Sequence, residues 1–354
     1  MRGSRWMMMV LGLATLPAHA QTVPAPATTA AKNLPAVVVS GELPGPGLWK
    51  VSKGDHVLWI LGTQSPLPKK MQWQAQQVSD TELAAQALLL PPAIEVNAKG
   101  GFFSKLMLLP RLIGIRNNPD GKKLADVLPP PVYARWQTLK ARYLGRGNGV
   151  EKYRPIFAAG ELYEAAVKDA GLTDDDVAGK LARKLAKRHG IPQVSTSYTF
   201  TIADPKQALA EFRHGSMDDA ACLVQTMDRV EHDLPNMQAA ANAWATGDTA
   251  TLAALRRDRH GDACTDAFDG SDLARQQGLQ DVPARVEQSW LKAADAALAK
   301  NRTTLALLPM GELLSPTGYL AKLKAQGYAV LSPDQQDADD GSDDAPATAG
   351  SVAR

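Results

Sequence analysis

Along the first part of the chain, polar and apolar positions alternate and then give way to an unbroken apolar run. Leu48, Trp49 and Val51 read as one strand, Lys53-Gly54-Asp55 as a turn and Val57 to Leu61 as a second strand, which together predict a β-hairpin. The second strand lacks polar alternation, as expected of a strand buried on both faces at a sheet's centre. It ends at Gly62, and Gln64-Ser65-Pro66-Leu67-Pro68 leaves its carboxyl end, where open α/β sheets place their ligands. Leu88-Leu89-Leu90, Thr303 to Leu308 and Tyr328 to Leu331 are further short buried-strand patterns, and Ile191 to Thr201 reads as extended.

Between these runs the spacing is helical. Helices are predicted over Val78–Ala87, Tyr133–Tyr143, Phe157–Ala170, Thr173–Arg188, Pro205–Phe212, Asp218–Asp233, Pro235–Trp244, Pro283–Lys300 and Pro316–Gln326, with a short one opening at Thr249. Lys99 to Val127 is an apolar, helix-like stretch rich in Phe102, Phe103, Leu106, Met107, Leu109 and Leu112, read as core-packing or lid-like. Strand, helix and strand joined by short loops imply an α/β (α+β) fold. The expectation is a mixed central β-sheet covered by helices, with a largely helical portion over about 155–300.

The ends change where this fold is expected to work. Arg2 and Arg5, the apolar run Trp6 to Leu13 and Ala18-His19-Ala20 have the form of a secretory signal peptide over 1–20, with cleavage after Ala20. A periplasmic or secreted protein is therefore expected. Pro110, Arg111 and Gly114 break the longest later apolar run, so no transmembrane segment is expected after cleavage. Residues 21–46 are Pro/Ala/Thr-rich and read as a flexible lead-in, 47–333 as the α/β domain, and 334–354 as a disordered acidic tail. The chain carries net charge +2, of which the tail's six Asp and one Arg contribute −5. The remainder is a mildly basic body with a detached acidic tail, which does not fit a nucleic-acid binder. Cys222 and Cys264 are the two cysteines. In an exported chain the pair points to a disulfide, with two buried thiols as the other reading. Neither lies in the clustered spacing of a zinc site.

Leu48-Trp49-Lys50-Val51 followed by Leu61-Gly62-Thr63-Gln64-Ser65-Pro66 resembles the opening of TraB/GumN proteins, where Leu-Trp-x-Val precedes Leu-x-Gly-Thr-x-His-x-x-Pro. Trp244-Ala245-Thr246-Gly247-Asp248 resembles the family's Trp-x-x-Gly-Asp segment. Leu305 to Leu313 and Gly327-Tyr328-Ala329-Val330 resemble its last strand, loop, helix and strand. The resemblance covers about Gly47 to Leu331. It implies a fold like that of the erythromycin-esterase-like and haem-binding ChaN-like proteins. It also implies the metal-dependent hydrolysis of the animal TIKI proteases, which use two Gly-x-x-His motifs at strand ends and an acidic residue.

The chain departs from that pattern where the chemistry should sit. Ser65 and Glu312 stand at the two histidine positions, Pro309 replaces the second leading glycine, and Pro91 aligns with the acidic position, four residues before Glu95. A hydroxyl is a poor zinc ligand, so no metal and no cofactor is expected; the alternative is a divalent cation at Glu312. Ser65, Glu312 and Arg285 are the candidate catalytic positions, with Arg285 expected to pair with Glu312 across the cleft. Gly62, Thr63, Gln64 and Glu95 are candidate ligand contacts. Of the histidines beyond the leader, His56, His189, His214, His232 and His260, none is placed by sequence beside Ser65. Trp244 and Trp290 read as core. Three functions compete: a non-catalytic member binding a cell-envelope ligand or protein, a hydrolase with a rearranged site around Ser65 and Glu312, and a purely structural envelope protein.

Overall fold

A computed structural model describes residues 45–99, 113–215, 217–256, 263–279 and 281–340. The signal-peptide and lead-in readings, most of the apolar stretch at 100–112, His260 and residues 341–354 of the tail lie outside the described residues.

The hairpin forms as predicted, β1 (Leu48–Lys53) pairing antiparallel with β2 (His56–Thr63). The remaining strands are β3 (Leu67–Pro68), β4 (Leu88–Leu89), β5 (Ile94–Ala98), β6 (Leu172–Thr173), β7 (Gln193–Val194), β8 (Tyr198–Ile202), β9 (Thr303–Pro309) and β10 (Ala329–Leu331). Six of them form a mixed sheet in the order β10-β1-β2-β9-β4-β7. It is antiparallel across β10, β1 and β2, and parallel from β2 onward. The parallel members β2, β9, β4 and β7 therefore end on one edge. The central strand β9 is buried along Thr304 to Leu308, which accounts for its unbroken apolar sequence.

Helices cover the sheet. The helix Val282–Lys300 buries Trp290, Leu291, Ala294, Ala297 and Leu298, one stripe at helical spacing, and its Trp290 meets Tyr319 edge-on at 5.3 Å. The helix Val177–His189 turns an alanine stripe (Ala178, Ala182, Ala186) to the core. Asp176 caps its first turn by accepting from the Gly179 N–H, and Gly190, at φ 69°, closes its end. A second apolar cluster, around Trp136, Leu162, Leu223 and Met227, holds the helices Pro130–Tyr143, Pro155–Asp169 and Ala220–Asp228 together. Cys222 and Cys264 form a disulfide between that last helix and Ala263–Asp269. Trp244 and Trp290 are fully buried, as read.

Local differences from the sequence reading have physical reasons. The first helix spans Gln76–Ala84 and stops at Ala85, which turns extended so that the Gln86 and Leu88 N–H groups reach Thr303 and Pro192 carbonyls in the sheet. Thr173 belongs to β6, so its helix starts only at Val177. In the described part of the Lys99–Val127 stretch, the α-helix is Leu124–Val127. The strand β5 was not anticipated; it pairs in parallel with β8, far along the chain, which local periodicity cannot reveal. Order also extends past the expected start of the tail. Pro333–Asp340 is helical, with Gln336 Nε2 donating to the Leu48 carbonyl at 2.8 Å.

Candidate functional site

Parallel pairing sets Thr63 beside Pro309, and Gly62 beside Leu308, at the carboxyl edge of the sheet. The two motif ends, some 245 residues apart in sequence, therefore leave the sheet side by side. The Met310 and Leu313 side chains close over Gly62: a Cβ there would stand 2.4 Å from Met310 Cε and 2.8 Å from Leu313 Cδ1, so those side chains would have to move aside. Its carbonyl accepts a 2.7 Å hydrogen bond from the buried Trp244 indole N–H. The Trp-x-x-Gly-Asp segment is thus a buttress for the end of β2. Gly247 turns at φ 72° against the Gly45 carbonyl, and Asp248 caps the helix Thr249–Arg256. Hydrogen bonds from the Thr251 hydroxyl and backbone hold the Asp248 carboxyl below the usual carboxylate range.

The loop after β2 is fastened by β3, which pairs antiparallel with β6. That pairing carries Ser65 to Asp174, and the Ser65 hydroxyl donates to Asp174 Oδ1 at 3.3 Å. Partial burial raises the Asp174 pKa, Ser65 offsets some of it, and the nearby charge of Glu164 adds to it. Glu312 stands exposed on the short helix Met310–Leu313, directly after β9. Its charge reaches the buried Tyr319, whose phenol is pushed well above the usual range, first by burial and then by Glu312 and Glu287.

Both motif ends open on one cleft of about 450 Å³. From the sheet side it is lined by Thr63, Gln64, Ser65 and Pro66, and by Pro309 to Glu312. The helical side supplies Asp233, Asn236, Met237, Ala240, Leu252 and Leu255, and Asp176 completes it. Asp233 owes its position to Pro235. Lacking an N–H, Pro235 cannot continue the regular bond ladder, and the chain between Ala220–Asp228 and Leu234–Ala245 widens into a π-helical turn, Arg229–Asp233.

Of the predicted positions, Ser65, Glu312, Thr63 and Gln64 meet here, with Gly62 directly beneath. Two do not. Glu95 lies exposed on β5, opposite Thr199 in a separate two-stranded ladder. Arg285 donates to the Tyr198 hydroxyl at 2.9 Å and lies over its ring, lining a different hollow. The expected Arg285–Glu312 pair is not formed, because Arg285 is engaged by Tyr198. Sequence reasoning missed Asp174, Asp176 and Asp233. The Asp174-Asp175-Asp176 run before a helix, and an Asp two residues before Pro235, were the signals available.

The metal-dependent hydrolysis that the resemblance implies would need ligands that converge on a metal, and the described residues at the motif ends do not supply them. Ser65 offers a hydroxyl already bonded to Asp174, and no histidine lines the cleft among the described residues. Among the described residues, the one group of three candidate ligands with atoms within 4.8 Å of one another is Asp228, Glu231 and His232. That group is exposed and outside the cleft, and Arg135 pairs with both of its carboxylates. A zinc ion does not fit the residues present at the motif ends.

No curated protein and no solved structure matches the chain. The model of the TraB/PrgY/gumN family matches residues 47–331, which is most of the sequence and all of the sheet, and the chain belongs to that family.

Proposed function

We propose that this is an exported TraB/PrgY/gumN protein that binds a cell-envelope ligand or protein segment in the cleft at the carboxyl edge of its sheet, without metal chemistry. The observation that carries the reading is the pair of residues at the two motif ends. Ser65 and Glu312 are brought into one cleft, yet among the described residues it holds no histidine and no converging set of ligands. The cleft's volume falls in the range of small-ligand sites, and its lining mixes apolar side chains with a few polar groups. The leader-like N-terminus supports export, and the Cys222–Cys264 disulfide is the kind of bond an oxidising compartment maintains.

Elemental analysis of the purified protein, prepared without chelator, tests the absence of metal chemistry. No metal above background is expected, before or after incubation with zinc or manganese. About one equivalent, lost in Glu312→Ala, would sink the reading.

One observation favours a second reading, a metal-free hydrolase. The Ser65 hydroxyl is bonded to Asp174, a carboxylate of raised pKa that could accept its proton. That reading requires labelling by a fluorophosphonate probe, abolished in Ser65→Ala.

A further inference from the structure

The helix Val177–His189 carries five Lys or Arg side chains and no Asp or Glu. Its inner face is the alanine stripe Ala178, Ala182 and Ala186, so the outward positions fall to Lys180, Lys184, Lys187 and Arg188. All four are exposed, and helical spacing sets them within about 100° of one another around the axis. Lys180 pairs with Asp175 at 2.6 Å and Arg183 with Asp176 at 2.8 Å, which engages the charges nearest the helix start. Lys184, Lys187 and Arg188 make no hydrogen bond or ion pair with any described residue. The acids of the neighbouring helix Gln76–Ala84 form no pair with them: Asp80 accepts from Gln76 at 2.8 Å, and Glu82 is buried.

Helix stability does not account for this arrangement. Lys180–Lys184, Arg183–Lys187 and Lys184–Arg188 are like-charge pairs four residues apart, each of which weakens a helix. Cations in the last turn favour the helix dipole, but that benefit fades within one turn and does not reach Lys184. Nor is the face built to read a shaped ligand. Beside its cations and the terminal His189, the helix offers Val, Leu, Ala and Gly. It has no Ser, Thr, Asn, Gln, Phe, Tyr or Trp to bond a sugar hydroxyl or to bond or stack on a base. It presents a convex row of charges on alkyl stems, flanked by the half-buried Leu181 and Leu185. Exposed apolar side chains stand on the adjoining elements, Leu83 on Gln76–Ala84 and Val194 on β7, the edge strand that follows the helix.

A row of free cations with apolar flanks and no pocket complements a diffuse anionic layer, and the headgroup region of a bilayer is such a layer. Resting on the reading of the protein as exported, which sets it beside envelope membranes, we propose that the outward face of Val177–His189 docks on an anionic lipid surface. Lys184, Lys187 and Arg188 supply the attraction. The same helix is capped by Asp176, which lines the cleft, so docking fixes how the cleft is oriented to the membrane.

Sedimentation of the purified full chain with vesicles tests this, using phosphatidylcholine alone and phosphatidylcholine with roughly one-third phosphatidylglycerol. Binding is expected to the anionic vesicles only, and to fall at least tenfold between about 0.05 and 0.5 M salt. Each cation near such a surface is worth about fivefold in affinity, so Lys184→Gln/Lys187→Gln/Arg188→Gln should weaken binding about a hundredfold. Its melting temperature should stay within a few degrees of the parent's. Lys184→Arg/Lys187→Arg/Arg188→Lys, which keeps the charges, should bind like the parent. The control Lys122→Gln/Lys206→Gln/Lys300→Gln removes the same net charge from exposed positions elsewhere and should bind within a few-fold of the parent.

Equal binding to neutral vesicles, no binding to anionic ones, undiminished binding by the first variant, or an equal loss in the control would each overturn the proposal and leave the cleft reading intact. Retention by a short DNA duplex, with no vesicle binding, would overturn it in favour of a nucleic acid. Recovery from cells of a protein that still begins at Met1 would instead remove the export reading, and with it the membrane as partner.

Discussion

The sheet-centred core and the helical cluster are held by different means. Around β2 and β9, backbone ladders fix position and the interior is almost wholly apolar, from Leu58 and Ile60 to Leu305 and Leu308. The helical cluster has no ladder to set its register. It contains instead a buried ion pair, Lys140–Glu151 at 2.7 Å, with Glu151 also accepting from the Trp136 and Gln137 side chains. A second buried pair, Arg154–Asp219, lies nearby, and the disulfide crosses between two of the helices. Helices packed on apolar stripes alone can slide or rotate, whereas a directional buried contact or a covalent bond permits one arrangement. The cleft lies at the edge of the sheet-centred core, with one side given by strand ends and the other by helices whose Ala240 and Leu252 pack into that same core.

The sharpest way to break this contrast is to remove Glu151. Both partners of its ion pair are nearly buried, so truncating one leaves the Lys140 ammonium and the Trp136 N–H without an acceptor. Glu151→Ala should lower unfolding free energy by about 3–5 kcal/mol. A Lys140→Met/Glu151→Leu double variant should recover most of it, because a buried pair often adds little beyond what apolar packing supplies. Urea denaturation of both variants decides. A loss under about 1 kcal/mol for Glu151→Ala would mean that the pair is solvated and the helical cluster is apolar in character like the sheet.

Next in size is the disulfide. Cys222 and Cys264 are 42 residues apart and enclose every helical-side residue of the cleft, from Asp233 to Leu255. Opening that loop by Cys222→Ala/Cys264→Ala should cost about 2–4 kcal/mol. Amide hydrogen exchange should quicken in the helices Leu234–Ala245 and Thr249–Arg256 before β2 and β9 change. Uniform quickening across the sheet would show that the two regions unfold as one unit and that the contrast is only structural.

How much of this was legible in the sequence follows the same division. The hairpin, β9 and the helix Val282–Lys300 could be read because local periodicity and burial coincide there. The meeting of Ser65 and Glu312 was legible because both follow strand ends, and parallel register brings such ends together. Arg285 and Glu95 misled for the opposite reason: their partners, Tyr198 and Thr199, lie about 90 and 100 residues away in segments whose pairing has no local pattern. Asp233 was hidden in what read as one helix followed by another. Its direction depends on the π-helical turn Arg229–Asp233, and the placement of that turn is a matter of backbone bonding rather than side-chain pattern.

The smallest predicted effect tests the exception inside the sheet-centred core. Glu82, on the helix Gln76–Ala84, is fully buried, and neither carboxylate oxygen finds a partner of good hydrogen-bond geometry. Burial pushes its pKa up to about 7, with the Ala186 backbone offsetting a little of that. A carboxyl raised in the folded state is protonated there while already ionised in the unfolded chain. Its contribution to stability is therefore complete below the unfolded value of about 4.5 and is lost as pH rises through about 7. Glu82→Gln removes the titration and so should stabilise the protein progressively across that window, by on the order of 2 kcal/mol above pH 7 relative to pH 4.5. Any fixed cost of burying the amide is the same at every pH and cancels from this difference. Melting curves of both proteins from pH 4.5 to 8 measure it. A constant separation between them would mean that Glu82 is solvated or paired in solution, and that the sheet-centred core is as free of unmet charge as its apolar lining implies.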